Sequence, residues 1–345
     1  MRHAVLAISA AAAAFAGCGV DAADGATGPT PPALVRCVGT PFTPAPTEAW
    51  RHSIQSPITV AAGPAGHSMQ DVLATPGSAA TIPGKFAYGL VSKDLEDEKV
   101  RVFLDACAGW TILGDVLTDS DGRTSLPVPA SLAVGIYDVR LQVLGDGTVA
   151  PGRIWILPAG THLAVTDVDG TLTTGDEEIV QDVFADLFEP IFSGSHVPAA
   201  YPGAAALTNA VAGRGHVLVY LTGRPYWLTA KTRGWLSGGG FAGGPLHVAD
   251  SNGEALPTPA GVGAFKRAWL QSLVARGFVL DEAYGNATTD VSAYAGAGIP
   301  ASATWIIGPN GGSGGTHAVS GSWEARAAAV GALPPVTQPF TTPGG

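Results

Sequence analysis

The chain has 345 residues, 46% of them hydrophobic and 13% charged, with a formal net charge of −10; that length favours two domains, and the apolar content is enough for their cores. No block of basic residues occurs, which argues against nucleic acid and against a purely electrostatic hold on anionic lipid, though not against a lipid anchor. The 47 glycines and 27 prolines point to many turns but stay below the ~25–30% typical of disorder.

Arg2 followed by the apolar stretch Ala4 to Phe15 reads as an export signal, too short to span a bilayer. It ends in Phe15-Ala16-Gly17-Cys18, which resembles the bacterial lipobox, with Phe15 where Leu is usual. The resemblance implies a signal peptide over 1–18, lipidation of Cys18, and a membrane-anchored lipoprotein of the cell envelope. Gly19, in place of an inner-membrane retention Asp, points to the outer membrane. Ordinary signal cleavage nearby is the alternative. No later segment is long and apolar enough for a transmembrane helix. Residues 19–46, rich in Pro, Thr, Gly and Ala, read as a linker. With Cys18 lipidated, only Cys37 and Cys107 remain, and a disulfide between them is open in an exported chain.

Residues 47–160 read as a β-sandwich. Lys99–Leu104, Gly135–Val143 and Arg153–Leu157 alternate or are short and β-branched, and Gly, Pro and Asp clusters separate them. Asp119-Ser-Asp-Gly122 resembles a turn of prealbumin-like and immunoglobulin-like domains.

Residues 161–312 change pattern. Strands are expected at His162–Thr166, His216–Leu221, Pro245–Ala249, Asp281–Tyr284 and Ala303–Ile307. Helices are expected at Glu177–Ile191, Ala204–Ala212, Tyr226–Leu236, Gly263–Ala275 and Asp290–Ala297. Alternation of this kind predicts an α/β domain with a Rossmann-like parallel sheet, whose site lies at the C-terminal strand ends. Residues 313–345 read as a Gly-rich tail with one weak helix near Trp323–Val330.

Asp167-Val-Asp169-Gly170-Thr171 follows directly on a strand. Alternate carboxylates past a strand end can face one site, and Gly170 permits the tight exit turn. Such a pair suits phosphoryl transfer, Asp167 attacking phosphorus and Asp169 serving as acid and base, with a divalent metal screening the anions. The other DxDG, Asp119 to Gly122, lacks the Thr and sits in a hairpin, so it reads as a turn. Downstream, Thr222-Gly223-Arg224 ends the second strand, Lys266 starts a helix, and Gly285-Asn286 to Asp290 follows a later strand.

Those four motifs, in that order, resemble the haloacid dehalogenase superfamily. The details resemble the catalytic domain of lipins and yeast-type phosphatidate phosphatases and the related domain of the phosphatidylinositol-transfer Nir proteins. They are Asp167-Val-Asp-Gly-Thr-Leu-Thr173, Thr232-Arg-Gly-Trp-Leu236, and Gly285-Asn286 with Asp290-Val-Ser-Ala-Tyr294. Thr222-Gly223-Arg224 departs from the lipin Ser-Ala-Arg, and the β region has no clear lipin counterpart. The resemblance implies catalysis by Asp167, Asp169, Thr222 and Lys266. It implies substrate contacts from Gly170, Thr171, Gly223 and Arg224, and Mg²⁺ held by Asp167, Asp169 through its backbone carbonyl, Asn286 and Asp290.

The stretches between motifs are short, so little or no cap is expected, which suits a phosphate on a membrane lipid. The expected function is a Mg²⁺-dependent phosphatase acting on phosphatidate or a similar phospholipid monoester. Its alternatives are a broad phosphomonoesterase on soluble substrates and a non-catalytic phospholipid-binding sensor.

Overall fold

The computed structural model describes residues 31–36, 40–89, 92–174, 198–251 and 258–341. The expected signal with Cys18, Cys37, and the helix expected at Glu177–Ile191 lie outside the described residues. Much of the stretch on which the cap expectation rested does so as well.

The first part is a β-sandwich. Its larger sheet runs β3 (Val72–Ala74), β11 (Val149–Ile156), β10 (Gly135–Val143), β7 (Lys99–Asp105) and β8 (Trp110–Leu117), with β1 (Val35–Arg36) added alongside β10. A second sheet joins β2 (Ser68–Met69), β4 (Thr81–Lys85) and β9 (Arg123–Pro127), and β5 (Ala87–Tyr88) pairs with β6 (Lys93–Asp94). A short helix, α1 (Gln55–Val60), precedes β2. Period-two alternation explains the core: Val100, Val102, Val139, Leu141 and Ile154 from the large sheet meet Met69, Ile82 and Phe86 from the other side, all buried. The Asp119–Gly122 segment is the turn expected. Asp119 Oδ1 accepts the amides of Asp121 and Arg123, and Gly122 takes φ +64°.

The presumed linker is partly built into this sandwich. Beyond β1, Trp110 Nε1 donates to Thr40 O at 3.1 Å, and Phe42 packs edge-on against Phe103 and Trp110. Composition reads this stretch as a tether because its partners are distant in sequence. Cys107 is disulfide-bonded; its expected partner lies outside the described residues.

The second part is an α/β region with an entirely parallel sheet. Its strands are β12 (His162–Thr166), β13 (Val217–Pro225), β14 (Leu246–Ala249), β15 (Val279–Gly285), β16 (Thr304–Ile307) and β17 (His317–Val319). The order across the sheet is β14-β13-β12-β15-β16-β17. Alternate strand residues face opposite layers. Ala164, Leu218, Tyr220 and Tyr284 pack under α2 (Ala204–Gly213) and the C-terminal helix. Leu163, Val165, Val219, Leu221 and Ala283 pack under α4 (Ala264–Ala275) and α5 (Thr288–Gly296). The remaining helix, α3 (Thr229–Gly238), follows β13 after a 3₁₀ turn at Tyr226–Leu228.

The tail expected from residue 313 belongs to this region. It supplies β17 and α6 (Glu324–Gly331), and Trp323 is fully buried with its Nε1 donating to Thr171 O at 2.7 Å. Gly-rich spacing hid one more parallel strand. Thr341 also pairs with Ala33, closing the two ends of the described chain on each other.

The two parts share one core. Leu73, Val134, Trp155 and Leu157 of the sandwich lie in the same buried cluster as Leu163 and Leu273, and everything described from Pro32 on is a single compact unit. Among the described residues no helix is long and apolar enough to cross a membrane.

Candidate functional site

The motif residues meet at the C-terminal ends of β12, β13 and β15. Asp167 is the first residue past β12, and its amide donates to Tyr284 O at 3.0 Å, which carries the strand direction into the loop. Gly170 turns the chain with φ +69°, and a Cβ there would lie 2.1 Å from Asn286 Nδ2. Only glycine fits. Thr171 places its hydroxyl 3.1 Å from both Asp167 Oδ2 and Asn286 Oδ1. Among the described residues, no acceptor is bonded to the amides of Val168 and Asp169.

Lys266, on the first turn of α4, is buried and bridges two carboxylates. Its Nζ lies 2.6 Å from Asp167 Oδ1 and 2.7 Å from Asp290 Oδ1. Asp290 in turn accepts the amides of Asn286 and Ala287 through Oδ2, each at 3.1 Å, so it closes the loop and caps α5. Burial pushes the Asp167 carboxyl up to about 7; Lys266 opposes this, while Asp290 and Asp169 add to it. Burial works against the Lys266 ammonium, but Asp167 and Asp290 outweigh it and hold its pKa above the ordinary value. One ammonium shared between two buried carboxylates leaves Asp167 incompletely neutralised.

Asp169 is gripped by a different cation. Arg224 Nε lies 3.0 Å from both of its oxygens, and Nη2 lies 2.7 Å from Oδ1. Thr222 Oγ1 donates to Oδ2 at 3.1 Å. Arg224 is 2% exposed, and its Nη1 donates to Thr232 on α3 at 3.0 Å, so the guanidinium is fixed at both ends. Gly223 lets the 259–263 turn approach: a Cβ there would lie 2.3 Å from Val262 Cγ2.

The structure thus brings Asp167, Asp169, Gly170, Thr171, Thr222, Gly223, Arg224, Lys266, Asn286 and Asp290 together, but assigns several of them elsewhere than expected. Arg224, expected on substrate, is spent on Asp169 and Thr232. Thr222, expected among the catalytic residues, donates to Asp169. Of the four residues expected around Mg²⁺, Asp167 and Asn286 meet across the Thr171 hydroxyl, while the Asp290 carboxylate is bound to Lys266 and to the Asn286 and Ala287 amides. Among the described residues no group of three His, Cys, Asp or Glu side chains is arranged around a metal. Lys266 bridges Asp167 and Asp290, and Arg224 holds the Asp169 side chain, whereas the metal ligand expected from Asp169 is its backbone carbonyl. The hard oxygens still converging are Asp167 Oδ2 and Asn286 Oδ1, around the Thr171 hydroxyl.

Sequence reasoning missed Thr232 as the far clamp of Arg224, and Arg233 beside it. Arg233 reaches the sandwich, with Nη1 and Nη2 at 2.9 and 3.0 Å from the two oxygens of the fully buried Asp71 side chain. The Thr232-Arg-Gly-Trp-Leu236 stretch was the available signal. It served as a family marker without a structural role attached.

The similarities to known proteins bear on both halves. The family described as "PITM 1-3, LNS2 domain" matches residues 164–308, and the one described as "PITM 1-3, beta-sandwich domain" matches residues 65–156. Membrane-associated phosphatidylinositol transfer protein 3 of Homo sapiens is 29% identical over 251 residues, which is 71% of this chain and 24% of that protein. Membrane-associated phosphatidylinositol transfer protein 1 of Rattus norvegicus is 28% identical over 275 residues, 77% of this chain and 20% of that protein. Protein retinal degeneration B of Drosophila melanogaster is 31% identical over 252 residues, 71% of this chain and 18% of that protein. The chain therefore matches between 18% and 24% of the length of these relatives.

These similarities correct the reading drawn from the motifs. Sandwich and α/β region together are similar to the PITM and retinal degeneration B type, a β-sandwich followed by an LNS2 domain, and not to a lipin-type or haloacid dehalogenase phosphatase. The matched relatives with descriptive names are named for lipid transfer and not for hydrolysis. The expected phosphoric monoester hydrolase does not stand. The β region without a lipin counterpart has its counterpart here.

Proposed function

We propose that this chain binds the phosphate-bearing headgroup of an anionic phospholipid at the strand-end site and leaves it intact. The Arg224–Asp169 clamp carries this reading. Hydrolysis needs a carboxyl free to protonate a leaving oxygen. Both oxygens of Asp169 instead accept hydrogen bonds from a buried guanidinium, and one also accepts from Thr222. What remains suits recognition: the Val168 and Asp169 amides, the Thr171 hydroxyl, and a sheet edge of the Rossmann-like kind where anions are commonly held. The relatives' names, which specify phosphatidylinositol transfer, favour a phospholipid over a soluble phosphomonoester.

Mg²⁺ belongs to the same proposal. Asp167 and Asn286 would hold it through their side-chain oxygens, with phosphate and water completing the shell, as hard-oxygen Mg²⁺ sites usually do. Bound there, it supplies the positive charge that three carboxylates against one lysine and one arginine leave short. Export and a lipid anchor at Cys18 would keep the site at a cell-envelope membrane.

The test is vesicle flotation of the full chain. Neutral phosphatidylcholine vesicles are compared with vesicles containing phosphatidate or phosphatidylinositol, and inorganic phosphate is assayed in parallel. Retention on anionic vesicles only, reduced by Thr222→Val and without phosphate release, is expected. Equal retention on neutral vesicles, or none on any, overturns the proposal.

A further inference from the structure

A cavity of about 770 Å³ lies between the sandwich and the far edge of the parallel sheet. Its volume falls in the range of small-molecule sites. One wall comes from the β3–β4 connection and β9, the other from β14 and α4. None of the motif residues lines it.

Two guanidinium groups face this cleft, and neither pairs with a carboxylate among the described residues. Arg276, at the end of α4, makes one bond, Nη1 to Leu73 O at 2.6 Å. Arg123 donates through Nη2 to the Asp250 carbonyl. The acidic groups on the wall are engaged. Asp71 takes Arg233 and the amides of Arg153 and Leu246, and Asp250 Oδ1 accepts Gln70 Nε2 at 2.7 Å. Unspent guanidinium donors in a partly closed cleft suit a phosphate, which takes them in pairs.

Beside them is a stack of rings. His247 lies parallel to Phe265 and Trp269, at 5.2 and 4.3 Å between centroids and 12° between planes in both cases. The imidazole is buried and, among the described residues, its Nδ1 has no partner. Burial, with Arg276 nearby, pushes it down to about 3, so the ring is neutral. Both His247 and the half-buried Trp269 line the cavity. A stack whose outer plate borders a cavity takes a further ring favourably.

We propose that this cleft binds a phosphate monoester carrying a planar ring, its phosphate on Arg276 and Arg123 and its ring on the Trp269 side. The ligand touches both halves of the chain and is independent of the strand-end site.

Titration calorimetry on the full chain tests it, with phenyl phosphate as probe. Cyclohexyl phosphate, inorganic phosphate and phosphatidate vesicles form the comparison arms. Saturable binding of phenyl phosphate is expected, roughly fivefold tighter than cyclohexyl or inorganic phosphate. Arg276→Gln and Arg123→Gln should each weaken it by roughly tenfold or more, with unchanged circular dichroism, while Thr222→Val leaves it unchanged. The absence of saturable binding, equal affinity for cyclohexyl phosphate, or full affinity in both arginine variants overturns the proposal. So does loss of binding in Thr222→Val, which would place the ligand at the strand-end site. Tighter binding of phosphatidate vesicles that depends on Arg276 would replace the ring-bearing ligand by a lipid headgroup and overturn the ring assignment.

Discussion

Gln70 pairs with Val248 as one strand pairs with the next. Its Nε2 donates to Val248 O at 2.6 Å, and its Oε1 accepts Val248 N at 3.0 Å. A sandwich side chain thereby covers the exposed edge of the parallel sheet, at β14, where unpaired backbone groups would otherwise remain. Asp71, the next residue, holds Arg233 of α3, Leu246 N of β14 and Arg153 N of β11. Two consecutive residues fix how the site-bearing region sits on the sandwich.

Asp71→Asn should therefore be severe. It leaves the half-buried Arg233 guanidinium without its counter-charge, a loss of about 3–5 kcal/mol. Gln70→Ala should cost less, about 1–3 kcal/mol for the unsatisfied Val248 groups. Urea unfolding of both variants checks the order; a milder Asp71→Asn would contradict the assigned roles.

Asp167→Asn separates recognition from catalysis. Removing one of the carboxylates around Lys266 lessens repulsion of a bound phosphate, and Asp290 still holds the ammonium. In chelator, retention on anionic vesicles is expected to equal or exceed that of the parent, while the gain on adding Mg²⁺ is smaller than in the parent, because Asp167 is one of the two side chains proposed to hold the ion. A collapse of binding of the folded variant in chelator would show that the Asp167 charge itself is required for recognition.

Metal dependence follows from the same balance of charge. Chelation should weaken retention on anionic vesicles, and Mg²⁺ should restore it, most strongly in the parent and less in Asn286→Ala. Identical flotation with and without chelator would remove Mg²⁺ from the proposal.

Acid should destabilise the protein through two buried histidines. Burial pushes His67 down to about 4 and His247 down to about 3, against about 6.5 unfolded. Between those values the unfolded chain binds more protons, so their stabilising contribution is complete above pH ~6.5 and is lost as pH falls. Each contributes a slope of up to about 1.4 kcal/mol per pH unit in that window. His247→Phe should flatten the pH dependence of the unfolding free energy; a slope unchanged from the parent would contradict a neutral buried ring.

Gly170→Ala should cost about 1–2 kcal/mol for the left-handed backbone alone. The clash with Asn286 Nδ2 adds to that and pushes apart the Asp167 and Asn286 loops. Loss of vesicle retention beyond the loss of stability is the expected outcome, measured well below the melting temperature.

Much of this protein was legible along the chain. The alternation of Lys99–Leu104 and Gly135–Val143 gave β7 and β10, and the apolar run at His162–Thr166 gave β12 with its ends correct. Asp167, Thr222, Lys266 and Asn286 could be placed at one sheet edge because strand ends and their loops are local features. The motifs nevertheless pointed to the wrong activity. They identify residue types at a site, whereas the chemistry depends on which charge each residue faces. Arg224 turning onto Asp169, Lys266 shared by Asp167 and Asp290, and Asp71 meeting Arg233 across the domain junction are pairings between residues far apart in sequence. So are the strand hidden in the Gly-rich tail and the linker residues fastened to the sandwich. Spacing determines neighbours one turn or one strand away; only closing the chain on itself decides which distant partner neutralises a buried charge.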